Sequence, residues 1–419
     1  MAGELNIWLR FCVTAFGLSA LLMTTPTAAV AGPASEPPSA QLARADTRFA
    51  LDLYARLKTR PGNLFFSPYS ISTCLALSCS GASGETRKQM AEVLHLPPGQ
   101  QTLNAAVGQV QQALDQAQEP GVELRIANAF WTQEGHPFLP AFLELARTQY
   151  HANLNQVDFK TSSASAIQAI NRWIRERTEG KIPNMLGPGS LNDATRLVIA
   201  NAIYFKGAWA STFPKSETKP QPFFVSSGRQ VQVLMMHHLD TIPYTEDNQF
   251  QAVELPYAGD QLAMLILLPK QGQSLEGLES ELTPAFLANC LRAMNARKVN
   301  LFLPRFKLDV ALELAPQLAK MGMPDAFSRK ADFSGIDGAA DLFVSAVSHK
   351  ARVEVGEEGT EVAAATTAHF SVLAVPAHRP PPPPVFRADH PFLFFIRDRS
   401  AGVVLFVGRL AAPQESSTG

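Results

Sequence analysis

The chain has 419 residues, 46% of them apolar, with 36 Lys and Arg against 37 Asp and Glu. It can fill a large core, and its net charge of −1 gives no general attraction to nucleic acid or to an anionic membrane, so neither partner is expected. Four cysteines are too few for a disulfide scaffold; Cys12 falls in the first segment, and Cys74, Cys79 and Cys290 read as buried small hydrophobes.

Arg10 precedes an apolar stretch from Phe11 to Met23, and Ala29-Val30-Ala31 follows. A charged start, a short apolar region and a small-residue site predict a signal peptide over 1–31 and a secreted protein, extracellular or periplasmic. A short N-terminal anchor is the alternative, although the stretch is brief for a membrane span. Gly32 to Ala40 is rich in Pro, Ser and Ala and reads as a loose tail over 32–40.

Leu42, Ala45, Phe49, Leu53 and Leu57 recur every three or four residues, which predicts an amphipathic helix stopped by Pro61-Gly62. Ser67-Pro68 reads as an N-cap with proline at the first helical position, and that helix runs to Gly81. Gln100 to Gln118 is helical in composition and carries no Lys or Arg. Ile167, Ile170, Trp173 and Ile174 mark a helix that ends near Gly180. Leu197 to Phe205 is a nearly unbroken apolar run, which suits a central strand covered on both faces.

A hairpin is expected across Leu255 to Leu268, a strand over Val299 to Phe306 and a short helix over Leu312 to Met321. Phe392 to Ile396 and Val403 to Val407 flank a turn and predict a closing hairpin. Helices and strands mix without βαβ alternation, which points to an α+β fold. No nucleophile elbow, zinc helix motif, phosphate loop or dinucleotide fingerprint is present, so no catalytic residue is assigned. Adjacent His237 and His238 would face opposite sides of a strand, and no metal or cofactor is expected.

Residues 357 to 376 stand out, because after Gly359 ten nearly all small residues carry a single charge, Glu361. On a strand, one face would hold Thr360, Val362, Ala364, Thr366, Ala368, Phe370 and Val372, none of them charged. The other would hold Glu361, Ala363, Ala365, Thr367, His369, Ser371 and Leu373, which suits solvent. The segment could enter a sheet with one face buried; on composition alone a flexible Ala/Thr linker stays open.

Glu357-Glu358-Gly359-Thr360-Glu361-Val362-Ala363-Ala364-Ala365-Thr366 resembles the loop hinge of inhibitory serpins. Asn63 to Ser72 (NLFFSPYSIS), Asn201 to Trp209 (NAIYFKGAW), Leu303 to Phe306, Ala331 to Ile336, His349 to Ala351, Asp389 to Phe392 and Phe406 to Arg409 resemble further serpin motifs, in the family's order. The resemblance implies three β-sheets, eight or nine helices and an exposed reactive loop, with a domain over 41–413, the loop at about 357–385 and a tail over 414–419.

It also implies a mechanism. A serine protease attacks the loop, forms a covalent acyl complex, and is trapped when the cut loop enters the largest sheet as a new strand. Glu357, Glu358, Gly359, Thr360, Glu361, Val362, Ala363, Ala364 and Ala365 would form the hinge. Ser67, Ser70, Asn201 and His349 match the polar cluster beneath the opening strands, the shutter, and Trp209 matches the aromatic near the insertion point, the breach. The scissile bond of inhibitory members, counted sixteen residues on from Glu357, falls at Leu373-Ala374. A leucine there suits chymotrypsin-like or elastase-like proteases.

Three features depart from the family. Val362 is bulkier than usual, the Gln100–Gln118 helix lacks the basic face of glycosaminoglycan-activated members, and Pro380 to Pro384 lengthen the loop beyond the cut site. A monomeric inhibitor is expected; a non-inhibitory serpin, carrier or chaperone, and a secreted hydrolase are the alternatives.

Overall fold

The three- and four-residue spacing in the first helix reflects real burial: α1 (Pro38–Leu57) packs Leu42, Phe49, Leu53 and Leu57 inward. In the computed structural model, which describes residues 36–116, 121–136, 138–226, 228–339, 341–360 and 382–414, this helix corrects one boundary. It starts inside the stretch expected to be a tail over 32–40, because Pro38 sits in its first turn, where the missing N–H costs no helical bond. The signal segment lies outside the described residues.

The chain continues through β1 (Leu64–Phe66), α2 (Pro68–Ser80), α3 (Gly84–Val93), α4 (Gln100–Gln116), β2 (Val122–Gln133), α5 (Pro140–Gln149), β3 (Asn153–Val157), α6 (Phe159–Arg177) and β4 (Leu197–Ala208). Then come β5 (Lys219–Ser226), β6 (Arg229–Glu246), β7 (Phe250–Pro256), β8 (Leu262–Pro269), α7 (Leu275–Glu281), α8 (Pro284–Ala293), β9 (Asn295–Pro304), β10 (Phe306–Glu313), α9 (Ala315–Met321) and α10 (Ser334–Asp337). The last elements are β11 (Val344–Gly356), β12 (Gly359–Thr360), β13 (Val385–Arg387), β14 (Phe392–Asp398) and β15 (Val404–Leu410). The fold is α+β, with ten α-helical segments among the described residues, the shortest of four residues.

The strand expected over Val299 to Phe306 ends at Pro304, and a second strand begins at Phe306. The helix expected from Leu312 begins only at Ala315. Phe306, Leu308 and Leu312 are buried while Lys307, Asp309 and Glu313 are not, so a two-residue period extends where a helix was expected.

Among the described residues, six strands form one sheet in the order β10-β11-β12-β4-β2-β3. Nine form the other strand system, in which β6 pairs with β5 and β9 along most of its length and with β7 at its end. One long strand thus joins two strand sets, which together with the six-stranded sheet correspond to the three sheets expected.

The two faces of β4 explain its unbroken apolar run. Leu197, Ile199, Ile203 and Phe205 enter the main core. Val198, Ala200 and Ala202 pack under α6 against Phe159, Ile167, Ile170 and Ile174. Cys74, Cys79 and Cys290 are free and buried, and burial pushes their thiols up to about 12, 11 and 12.

Candidate functional site

The site is a seam in the six-stranded sheet. Strands β4 and β11 are direct parallel neighbours from Leu197 opposite Val344 to Tyr204 opposite Arg352. At one end the seam opens and β12 stands inside it. Thr360 is opposite Val355 on β11 and Gly207 on β4, and both pairings are antiparallel. A parallel ladder is held apart at its tip by the first two residues of a strand running against both sides.

Gly359 is at this tip for a steric reason. Its φ is +143°, and a Cβ there would meet the Gly207 carbonyl oxygen at 2.1 Å and Ala208 Cα at 2.6 Å. Gly207 has no room either, since its Cβ would lie 2.6 Å from the Tyr257 ring. Thr360 is fully buried, and its hydroxyl lies 2.9 Å from the Tyr257 hydroxyl.

Trp209 braces the same end. It stacks on Tyr257 at 4.7 Å, its indole N–H donates to the Gly356 carbonyl at 3.0 Å, and its backbone N–H donates to the Glu358 carbonyl at 2.9 Å. The turn between β11 and β12 is held by its two glutamates. Glu358 pairs with Lys215 at 2.5 Å. Glu357 is buried, accepts from Thr218 Oγ1 at 2.7 Å and pairs with Arg305. Burial pushes its carboxyl up, but the bonds from Arg305 and Thr218 outweigh burial and leave it below the usual carboxylate range.

Midway along the seam lies a buried polar cluster. His349 faces Asn201 across the β11–β4 ladder, and Asn128 faces Asn201 across the β2–β4 ladder. Ser67 caps α2, accepting from the Ser70 N–H at 3.1 Å. Its own backbone N–H donates to His349 Nε2 at 3.1 Å, so the imidazole proton sits on Nδ1 and donates to Asn201 Oδ1 at 2.5 Å. The Asn201 amide donates to Ser70 Oγ at 2.6 Å and to Asn128 Oδ1 at 2.5 Å. Burial lowers the His349 pKa to about 3, so the ring is neutral and both nitrogens are used.

All four polar residues expected beneath the seam, Ser67, Ser70, Asn201 and His349, are therefore in contact, and Trp209 is beside the opening. Glu357, Glu358, Gly359 and Thr360 form its edge. Glu361, Val362, Ala363, Ala364, Ala365, Leu373 and Ala374 lie outside the described residues. Asn128, Tyr257, Arg305 and Thr218 were not anticipated. Asn128 left one signal, a single amide inside the apolar run Ile126 to Trp131. Arg305 sits in the Leu303 to Phe306 motif, which gave it no role, and Tyr257 and Thr218 left no signal, because only the fold brings them to the hinge.

Residues 44–413 match the family model described as Serpin (serine protease inhibitor). The leukocyte elastase inhibitor of Bos taurus is 40% identical over 390 residues, which cover 89% of this chain and 100% of that protein. Among solved structures, Serpin48 of the insect Tenebrio molitor superposes with a TM-score of 0.81 at 31% identity, covering 91% of this chain and 100% of that one. Human thyroxine-binding globulin, in complex with thyroxine, gives 0.82 at 30% identity, covering 90% and 100%.

These matches overturn the expectation of secretion. The leukocyte elastase inhibitors, matched along their whole length, are intracellular serpins without a signal peptide.

Proposed function

The chain belongs to the serpin family and is a serine protease inhibitor rather than an enzyme, and we propose that it works as a single-use trap, one monomer per protease. The protease serine attacks the Leu373 carbonyl in the loop at about 357–385. The bond to Ala374 breaks, the new amine leaves with a proton from the protease, and an acyl ester remains. The freed hinge then runs on from Thr360 into the seam before water can cleave that ester.

The observation that carries this reading is the β12 register. Thr360 lies between Gly207 and Val355. Continued two residues at a time, that register sets Val362 between Phe205 and Val353, and Ala364 between Ile203 and Ala351. Thr366 falls between Asn201 and His349, Ala368 between Ile199 and Val347, and Phe370 beside Leu197. Each inward side chain meets a partner of its own polarity, and the one inward hydroxyl past the hinge meets the polar cluster. Insertion replaces one parallel ladder with two antiparallel ones and widens the sheet by about 4.8 Å. Residues 360 to 373 span roughly 45 Å at about 3.3 Å each, enough to carry the acylated protease from one end of the seam to the other.

Leu373 supports a chymotrypsin-like or elastase-like target, as does the similarity to the leukocyte elastase inhibitor of Bos taurus. The test is to mix the protein with chymotrypsin or leukocyte elastase and run a denaturing gel. A covalent complex, with a released peptide beginning at Ala374, is the expected outcome. Clean cleavage without a complex would make the chain a non-inhibitory serpin, and a peptide beginning at Pro380 would move the reactive bond.

A further inference from the structure

We propose that His136, Asp337 and Asp341 bind a divalent transition-metal ion of the zinc type, at the opposite end of the six-stranded sheet from β12. One ligand atom from each residue lies within 4.8 Å of the other two. His136 Nδ1 and Asp337 Oδ2 are 3.1 Å apart. Two ligands bound at about 2.0–2.1 Å and a tetrahedral angle are separated by about 3.3 Å, so this pair is already at the spacing of a coordination edge. The exposed Asp341 carboxylate supplies a third corner, and water completes the shell.

The two loops that carry these residues are fixed to each other and oriented from behind. The Leu139 N–H donates to the Ile336 carbonyl at 2.8 Å, which ties the segment after β2 to α10. The His136 carbonyl accepts from Gln156 Nε2 at 2.6 Å, and its N–H donates to the Gln133 carbonyl at 3.2 Å. The side chain of Asp337 is only 2% exposed, and its Oδ1 accepts from the Ala339 N–H at 2.9 Å, which turns Oδ2 toward His136. Supporting hydrogen bonds of this kind hold ligands in place before a metal arrives. One imidazole with two carboxylates selects a borderline ion such as Zn²⁺ over Ca²⁺, which needs six or more oxygens. No sequence spacing could have revealed the set, since 201 residues separate His136 from Asp337.

The test is calorimetric titration of the full chain with zinc chloride in a non-chelating buffer. One ion per chain is expected, with affinity falling at least about tenfold in His136→Ala and in Asp341→Asn. Asp341 is exposed, so Asp341→Asn should melt like the wild type without metal while still losing affinity, which separates ligation from folding. Excess calcium should not displace the zinc. No binding to the wild-type chain, unchanged affinity in both variants, or displacement by calcium overturns the proposal. None of these readouts depends on protease inhibition.

Discussion

His349 Nδ1 and Asn201 Oδ1 lie 2.5 Å apart in direct register across the β11–β4 ladder. This bond joins the two strands that the proposed insertion would part, and the ring makes both of its bonds only while it is neutral, because Nε2 must accept from the Ser67 N–H while Nδ1 donates to Asn201. The folded pKa of about 3 lies below the ordinary value of 6.5, so between these two values the unfolded chain binds a proton that the folded chain refuses. Stability from this group is complete above about pH 6.5 and is lost as pH falls toward about 3, at up to about 1.4 kcal/mol per pH unit. Melting curves at pH 7 and pH 5 should therefore diverge more for the wild type than for His349→Gln. Parallel pH dependence in both would remove the histidine from this role.

Thr360 is the first inward residue of β12. Thr360→Arg would bury a guanidinium against Tyr257 with no acceptor prepared for it, at a cost of several kcal/mol. Cutting needs no insertion, so the variant should be cleaved at the same bond and release active protease. About 1.4 kcal/mol on the insertion barrier already slows it tenfold. Glu361→Arg, one residue on and on the outward face of the alternation, should still form complexes. Equal inhibition by both would refute the two-face argument.

Thr366 provides an independent check of the register. Thr366→Val should leave the intact protein's melting temperature unchanged. It should reduce the extra stability gained when the loop is cut, by about 1 kcal/mol for one buried hydrogen bond. The comparison also requires that wild-type protein nicked in the loop melts well above the intact form. Equal melting of nicked and intact wild type would mean that no strand is added on cleavage.

The pair Arg305–Glu357 governs the turn that leads into β12. Glu357 titrates below its usual range, so its contribution to stability is present above about pH 4.5 and fades as pH falls through its lowered folded value. Arg305→Ala leaves a buried carboxylate short of its main partner. The variant should be less stable than wild type at pH 7, with the gap closing as pH falls through the lowered folded value of Glu357. A gap independent of pH would assign the loss to packing of the arginine stem instead.

Helix faces, the central strand and the closing hairpin were legible in the sequence because side-chain periodicity is a local property. Leu42 to Leu57, Leu197 to Phe205 and Phe392 to Val407 each carry their burial pattern within a few residues. Of the inward face that begins at Thr360, only the burial of Thr360 itself falls among the described residues, and the motif order marked Ser67, Ser70, Asn201 and His349 by resemblance. Where two periods competed, as in Phe306 to Met321, the neighbouring strand decided: β11 pairs with Phe306 to Glu313 and holds it extended.

Tertiary structure alone decided which groups meet. Asn128 joins Asn201 only because β2 and β4 pair in that register. Arg305 reaches Glu357 across 52 residues, and Tyr257 reaches Thr360 across 103. The sequence dictates which residues can be buried, since that depends on their own chemistry and spacing. Partners far apart in the chain are set by sheet register, and a register exists only once the strands have packed.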